Sequence, residues 1–579
     1  MSTHKIERVD DIPLIFQWLV RMRVAELIDQ VWPSHGNWKG LSYGQLAVLF
    51  ITYVVHSLNH RLSGMEDWLA SHQHSLERLT GWRLDPKEAT DDRLGILLSE
   101  LGGDQEKLAN YQVEAGRYLI RAYELPTARA RYDTTSVNVY HAPTEAKEGG
   151  LLEFGWSKDR RPDLLQFKQG LGTLDPAGVP LMTETLPGNQ ADDGCYVPAW
   201  RRLAETVGHR DFFLIGDSKG AALETRGQLA QEEGYYLFPL PMTGKVPEQL
   251  AAWVREPPSP SQVIYLGEGK ERQRVGQGFE VEQQLTVELN GDQYEWQERW
   301  LVLKSDHHAE RQQQRLFRKL EKAEKALDKL YPKATDGREE WQARVKEVLE
   351  KQGVSDFIQF RIEERVDYRK RYLKQGRPGP NSAYEREEIR YYRCHHWRNE
   401  DAIKAATKLL GWRIYTTNIT AEQLSLEQSV DYYRDEWTVE RGFHRFKRGS
   451  LPVLPLFIRI PERIKGLLFL LFIALQVLTL MEFVVRRELS KEKGELQGLV
   501  PGNPKMKTAR PTAERLLAQF KGLNLLIEQR ESEIRGFMVE RLTPLQEKIL
   551  KLLNLPIEIY DLSFSLPIAE PSTELRLIA

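Results

Sequence analysis

Cysteine is almost missing from this sequence: Cys195 and Cys394 are the only two in 579 residues. A disulfide framework is therefore excluded, and such sparse usage suits a reducing compartment. Cys394 begins a Cys394-His395-His396 run, but no second Cys/His pair follows at a finger-like spacing, so a zinc site is not expected. An excess of one charge is missing too. The 81 basic and 83 acidic residues leave a formal net charge of −2, so any basic surface for nucleic acid must be local. The first residues, Met1-Ser2-Thr3-His4-Lys5, carry charge and no apolar run of signal type. Internal repeats and low-complexity tracts are absent. Long apolar runs are scarce, and one stands out. Leu467 to Val485 is long enough to cross a bilayer, yet it contains Gln476, Thr479 and Glu482 and lies alone deep in the chain. A buried core helix is the expected form, with no membrane partner and a cytoplasmic location.

What is present is ordinary globular material, 41% hydrophobic and 28% charged, in a length that allows several domains. Residues 1–125 read as a helical domain, with apolar periodicity near Ile12–Phe16, Leu41–Leu58 and Met65–Leu69, punctuated by Gly36, Gly40, Gly81 and Pro86. The texture changes after Pro126. Residues 129–140 are rich in β-branched and aromatic types; 164–174 and 179–186 are further strands around the turn Asp175-Pro176-Ala177-Gly178. Helices over about 195–207 and 220–233 alternate with strands at 212–217 and 235–240. The expected fold class is α/β, a mixed sheet flanked by helices, over 126–242. Residues 243–410 read as an α+β insertion, with a β region and a long amphipathic helix over 308–330 on Leu316, Leu320, Ala323 and Leu327. The α/β texture resumes over 411–495, with a strand at 412–418, a long helix over 425–446 and then the apolar helix. Residues 496–579 form a C-terminal helical region and tail.

Three acids occupy suggestive positions. Asp133 lies within the first strand, Asp217 ends a short apolar strand, and Glu440 lies on the long helix, at separations of 84 and 223 residues. Carboxylates converging at one end of a sheet suit a hard divalent cation, which prefers oxygen ligands and leaves sites for water and phosphate. Two such ions can bracket a phosphodiester, so no protein nucleophile is needed, and no Ser/His/Asp or Cys/His arrangement stands out. Each acid alone also fits a cap, a turn or a solvated face. On a continuous helix at about 100° per residue, Tyr433, Glu436, Glu440 and Lys447 fall in a stripe about 60° wide, with His444 beside it. That stripe suits a metal-and-phosphate site, and equally a salt-bridged solvent face.

The segment from Tyr433 to Lys447 resembles the Tyr-x2-Arg-x3-Glu-x6-Lys signature of the IS-4 superfamily of insertion-sequence transposases. Val439-Glu440-Arg441-Gly442-Phe443, followed by Phe457 and Pro461-Glu462-Arg463-Ile464, resembles the insertion sequence 1634 branch. Asp133-Thr134-Thr135, Gly155-Trp156-Ser157-Lys158-Asp159, Arg161-Pro162-Asp163, Gly188-Asn189 and Gly216-Asp217-Ser218 are similar to its upstream blocks. The resemblance implies a DDE transposase with an RNase H-like core. Asp133, Asp217 and Glu440 would be catalytic and would hold two Mg2+ ions per active site, with Mn2+ substituting.

The implied partners are double-stranded DNA, both terminal inverted repeats and target, bound by a homodimer in the bacterial cytoplasm at the nucleoid. Tyr433 and Lys447 would contact phosphates near the cut, the N-terminal helices would bind DNA, and the insertion would hold DNA ends, with Trp296 and Trp300 as candidates for stacking on a base. One departure is plain: the signature arginine is Glu436 here, and the nearby Arg434 falls off the stripe. The resemblance also admits a DNA-holding relative that no longer cuts, and an RNase H-like nuclease without strand transfer.

Overall fold

Residues 129–139 pair along one edge with Leu165–Leu174 and, over their first three residues, along the other with Phe213–Ile215, and their side chains are buried on both faces, as suits a central strand rich in Val, Thr and Tyr. The computed structural model describes residues 2–267, 272–331, 337–373, 375–530 and 533–563. They divide into two compact units: Met1–Phe238 with Gln284–Trp296 and Val430–Ala579, and Pro239–Gln283 with Gln297–Ser429.

In the first unit the strands run Val179–Pro187, Leu165–Leu174, Arg129–Val139, Phe213–Ile215, Tyr235–Pro239 in spatial order. The first three pair antiparallel and the last three parallel, so the sheet is mixed as the sequence texture predicts. Helices Tyr196–Val207 and Leu223–Gln231 supply the crossovers between the parallel strands.

The apolar run is a 31-residue helix, Pro461–Lys491, whose side chains are buried nearly all round. Its polar groups are satisfied inside the protein. Gln476 donates from Nε2 to the Pro180 carbonyl at 2.9 Å, and the Thr479 hydroxyl donates to the Leu475 carbonyl at 2.8 Å. A helix apolar on every side is buried when protein packs against every side, which is the case here.

The N-terminal helices cover this core helix. Tyr43–Ser57 starts on a capping box of Ser42 and Gln45, and Gln105–Tyr123 on Asp104. Asp91–Gly103 crosses the long helix at a pair of glycines. A Cβ on Gly102 would collide with the Glu462 carbonyl and the Gly466 amide, and one on Gly466 with the Leu98 carbonyl. Only glycine permits that backbone approach.

The domain expected to be helical over 1–125 is not wholly so. Ser2–Arg8 is a strand, paired antiparallel with Asn524–Arg530, which in turn pairs with Glu533–Val539. The C-terminal region expected to be helical within 496–579 is thus two short helices, Ala513–Ala518 and Pro544–Leu552, flanking a hairpin. Leu525 and Ile527 are buried with alternating spacing, a period-two signal too short to read against the helices around it.

The second unit has strands in the order Trp412–Thr417, Asp292–Ser305 from Gln297 onward, Gln273–Leu289 as far as Gln283, and Gln262–Leu266. Beyond them helices Asp306–Asp328 and Arg338–Gln352 pack through Leu320, Ala323, Leu327, Trp341, Val345 and Leu349. The root of a two-stranded ribbon, Ile358–Tyr372 with Tyr384–Arg398, closes that core.

The helix expected over 425–446 is broken. Leu426–Arg434 ends and Trp437–Arg448 begins after a turn at Asp435 and Glu436. Side chains claim the carbonyls that a continuous helix would need: Arg131 donates to the Tyr432 carbonyl, and the Thr438 hydroxyl donates to the Asp435 carbonyl at 2.8 Å. The stripe from Tyr433 to Lys447 therefore belongs to two helices, and its single-helix angles do not apply.

Candidate active site

The last paired residues of the two parallel strands are Arg131 and Ile215. Asp133, inside its longer strand, and Asp217, just past the end of its own, each stand two residues further on, so they occupy matching positions along adjacent strand lines, and neighbouring strands lie about 4.8 Å apart. Each carboxylate is held. Asp133 accepts from its neighbour's amide, Thr134 N, at 2.7 Å, and Lys158 Nζ lies 3.4 Å away. Asp217 Oδ1 accepts from the Tyr196 hydroxyl at 2.6 Å and from the Lys219 amide at 2.9 Å. The Tyr196 hydroxyl also accepts from the Asp217 amide at 3.3 Å, so one buried tyrosine fixes both the backbone and the side chain of this residue.

Burial pushes the Asp133 carboxyl up to about 6; the Asp217 charge pushes it the same way, while Lys158 and the Thr134 amide oppose. Lys158 outweighs the Asp217 charge, but the cost of burying the Asp133 carboxylate is left incompletely compensated, which favours a cation beside it. Glu436, in the turn between the two helices, is raised by burial and by the charge of Glu440, with Asp217 adding, while Arg131 and a hydrogen bond from Tyr433 oppose. The acids are thereby coupled in series: Asp133 with Asp217, Asp217 with Glu436, Glu436 with Glu440. Among the described residues no three His, Cys, Asp or Glu side chains converge closely enough to hold a metal ion. The donor set still fits a hard divalent cation, because every ligand offered is a carboxylate oxygen.

Glu440 is exposed in the first turn of Trp437–Arg448. The opposite face of that helix is locked down. Arg445 and Arg441 both reach Glu482 on the long core helix at 2.5 Å, and Glu482 also accepts from the Ala513 amide at 2.8 Å. Lys447 pairs with Asp159 at 2.7 Å, tying the helix to the loop that carries Lys158. Buried Arg131 pairs with Asp175, and Arg129 lies 3.9 Å above the ring of Tyr432, so the first-Asp strand also grips the helix break. The family arginine is absent at 436, but Arg131 brings a positive charge to Glu436 from that neighbouring strand.

Tyr433 is half-buried beside Glu436, and Arg434 is exposed at the end of its helix. Trp296 and Trp300 are both buried. Trp296 Nε1 donates to the Tyr236 hydroxyl at 3.0 Å, and Trp300 Nε1 donates to Glu298 Oε2 at 2.9 Å. Both occupy protein interior, with their ring N–H groups spent there. Trp156 is not among the aromatic contacts expected from sequence, yet it stands two residues before Lys158 with 87% of its surface exposed. Tyr196 is likewise unmarked in sequence, since no local motif signals a tyrosine that acts through a residue 21 positions away.

The family model of the transposase DDE domain matches residues 132–477, a span that opens next to Asp133 and contains Asp217, Glu436 and Glu440. This chain belongs to the DDE transposases. The transposase is thus an enzyme that acts on DNA, of a family that works with divalent metal ions. Among solved structures it is similar to a piggyBac transposase synaptic complex with hairpin DNA, at 13% identity and a TM-score of 0.24, over 61% of this chain and 69% of that one. No curated protein matches it.

Proposed function

We propose that the transposase binds the terminal inverted repeats of an insertion sequence and moves the element by strand cleavage and strand transfer, cut-and-paste through a hairpin. Asp133, Asp217 and Glu440 are the proposed catalytic residues, holding two Mg2+ ions, with Mn2+ able to substitute. Within this reading the enzyme is of the IS-4 superfamily, insertion sequence 1634-like, and works as a homodimer on DNA at the bacterial nucleoid. Residues 126–242 and 411–495 make the two parts of an RNase H-like core, 243–410 the insertion, and 1–125 a DNA-binding domain.

The observation that carries the proposal is the matched placement of Asp133 and Asp217, each two residues beyond the last parallel pair of adjacent strands, with the burial of Asp133 only partly offset by Lys158. Bound magnesium would activate the attacking oxygen and stabilise the leaving one. The chain's own groups do the rest. Tyr196 holds the Asp217 carboxylate in one orientation. Lys158 stands where a phosphate oxygen can replace its contact with Asp133. Lys447 and Tyr433, flanking Glu440 in sequence, are the proposed phosphate contacts, with Arg434 an outer one.

The test is cleavage of DNA carrying the element's own ends, with Mg2+ and then EDTA, for wild type beside Asp133→Ala, Asp217→Ala and Glu440→Ala. Metal-dependent cutting that all three substitutions abolish is the expected result. Glu436 favours a second reading, a relative that holds DNA without cutting; end binding unchanged by the three substitutions and unaccompanied by cleavage would establish it. Cutting without joining of the ends would leave a nuclease.

A further inference from the structure

The ribbon of the second unit is supported only at its root. Ile358, Phe360, Ile362, Tyr392 and Cys394 pack on the helix pair, but residues 368–372 and 384–388 are exposed on both faces. Those five cross-strand pairs project roughly 16 Å at the usual rise of a strand. An isolated two-stranded ribbon in water is marginal, so a free tip of this length needs a reason.

The register deepens the problem. Lys370 lies directly opposite Arg386, on the same face of the ribbon. Like charges in that position repel and destabilise the pairing. Among the described residues neither has a carboxylate within ion-pairing distance, for Glu388 on that face is taken by Arg390 at 3.0 Å. Tyrosines flank the pair instead. Lys370 Nζ lies 4.4 Å from the Tyr384 ring centre, the Arg386 guanidinium lies 4.8 Å from that of Tyr368, and Tyr372 meets Tyr384 edge-on at 6.0 Å. Between Arg369 and Arg386 the sequence holds six basic residues and one acid, in a chain whose net charge is −2. The opposite face differs in register: Arg369 and Arg371 lie directly opposite Glu387 and Glu385, so each cation there faces an acid across the ribbon.

We propose that the ribbon tip is a duplex-DNA clamp that enters the major groove, with Lys370 and Arg386 each neutralising a backbone phosphate. A two-stranded ribbon matches that groove, about 12 Å wide and 8.5 Å deep. The phosphates supply the anions that the cation pair lacks, and the tyrosines keep both cations extended along one face. This inference rests on the DNA-transposing reading and adds where and how the second unit grips its substrate.

The test compares the full-length enzyme with its Lys370→Gln/Arg386→Gln double variant. Binding to a duplex bearing the element's ends, and to a scrambled duplex, is followed across a salt series, and thermal unfolding is measured alongside. Loss of two phosphate contacts should flatten the log Kd against log salt slope by about 2 and weaken binding at 0.1 M salt on the order of 50-fold, for both duplexes. The free variant should melt at a higher temperature than wild type, since the repelling pair is gone. That combination, weaker binding by a more stable protein, is one that a purely structural role does not produce. An unchanged slope overturns the clamp, as does weaker binding with a lower melting temperature. A changed oligomeric mass with DNA binding intact overturns it in favour of a second copy of the chain. Failure of the wild type to bind either duplex removes the DNA reading itself, which separates the two failures.

Discussion

Arg445 and Glu482 form an ion pair at 2.5 Å with 3% and 4% of their side chains exposed, joining the helix that carries Glu440 to the long core helix. Glu482 is satisfied by Arg441, Arg486 and the Ala513 amide as well, so removing a partner strands a buried charge. Glu482→Gln or Arg445→Met should cost roughly 3–5 kcal/mol of stability, read from urea unfolding. Replacing both by apolar residues should cost less than either single change. A single variant that unfolds like wild type would show that the pair does not hold the helix.

The same network predicts an acid limb. Burial alone would raise the Glu514 carboxyl, but hydrogen bonds and charge from Arg445, with help from Ser450, outweigh it and bring it down to about 2. A depressed carboxyl stabilises the fold above its unfolded value, near 4.5, and loses that contribution as pH falls through its folded value. Thermal unfolding between pH 5 and pH 2 should therefore show a decline that Glu514→Gln reduces.

Asp133 has the opposite sign. Its carboxyl sits at about 6, so without a cation the folded protein gains from protonation there as pH falls from about 6 towards 4. A divalent ion must compete with that proton. The rise in melting temperature produced by Mg2+ should be larger at pH 8 than at pH 5, and Asp133→Asn should abolish the difference. An equal Mg2+ effect at both pH values would mean that Asp133 is not a ligand.

Tyr196→Phe removes the hydroxyl that orients Asp217 while keeping the ring that packs edge-on against Tyr132 and Phe238. Groups behind a ligand typically contribute 10- to 100-fold to metal affinity or activity. Cleavage should fall by about that factor, with DNA affinity unchanged and higher Mg2+ restoring part of the rate.

Trp156 is exposed beside Lys158, so it can stack on a base without rearrangement. Trp156→Ala should leave the melting temperature where it is and weaken DNA binding by about 1–3 kcal/mol. A loss of stability with no loss of binding would assign the ring to the fold.

The central α/β region was legible because its strands are strongly β-branched and end in turn chemistry at Asp175-Pro176 and in Asp217. The buried apolar helix was legible for a different reason: Gln476, Thr479 and Glu482 are poor company for lipid and good company for the Pro180 carbonyl and Arg445. The break at Asp435 and Glu436 was not legible, since it is imposed by Arg129 and Arg131 some 300 positions earlier. The ribbon escaped because its alternation, Ile358, Phe360 and Ile362, is confined to the root; the outer strands are wet on both sides and carry none to detect. Trp296 and Trp300 illustrate the limit for single residues: a tryptophan reads alike in sequence whether its ring meets a base or its neighbours' side chains.

The strand at Ser2–Arg8 closes onto Asn524–Arg530, so its partner is made more than 500 residues later. At about 5–20 residues per second of synthesis, the first strand waits on the order of half a minute to two minutes for its mate. Glu7, buried against Ser75, and Asp10, bound to the Gly522 amide, show that the start of the chain is seated at both ends of that interval. A chain whose synthesis stops before Asn524 therefore leaves the Ser2–Arg8 strand without its partner, and the supply of competent enzyme follows translation past Arg530 more closely than it follows initiation.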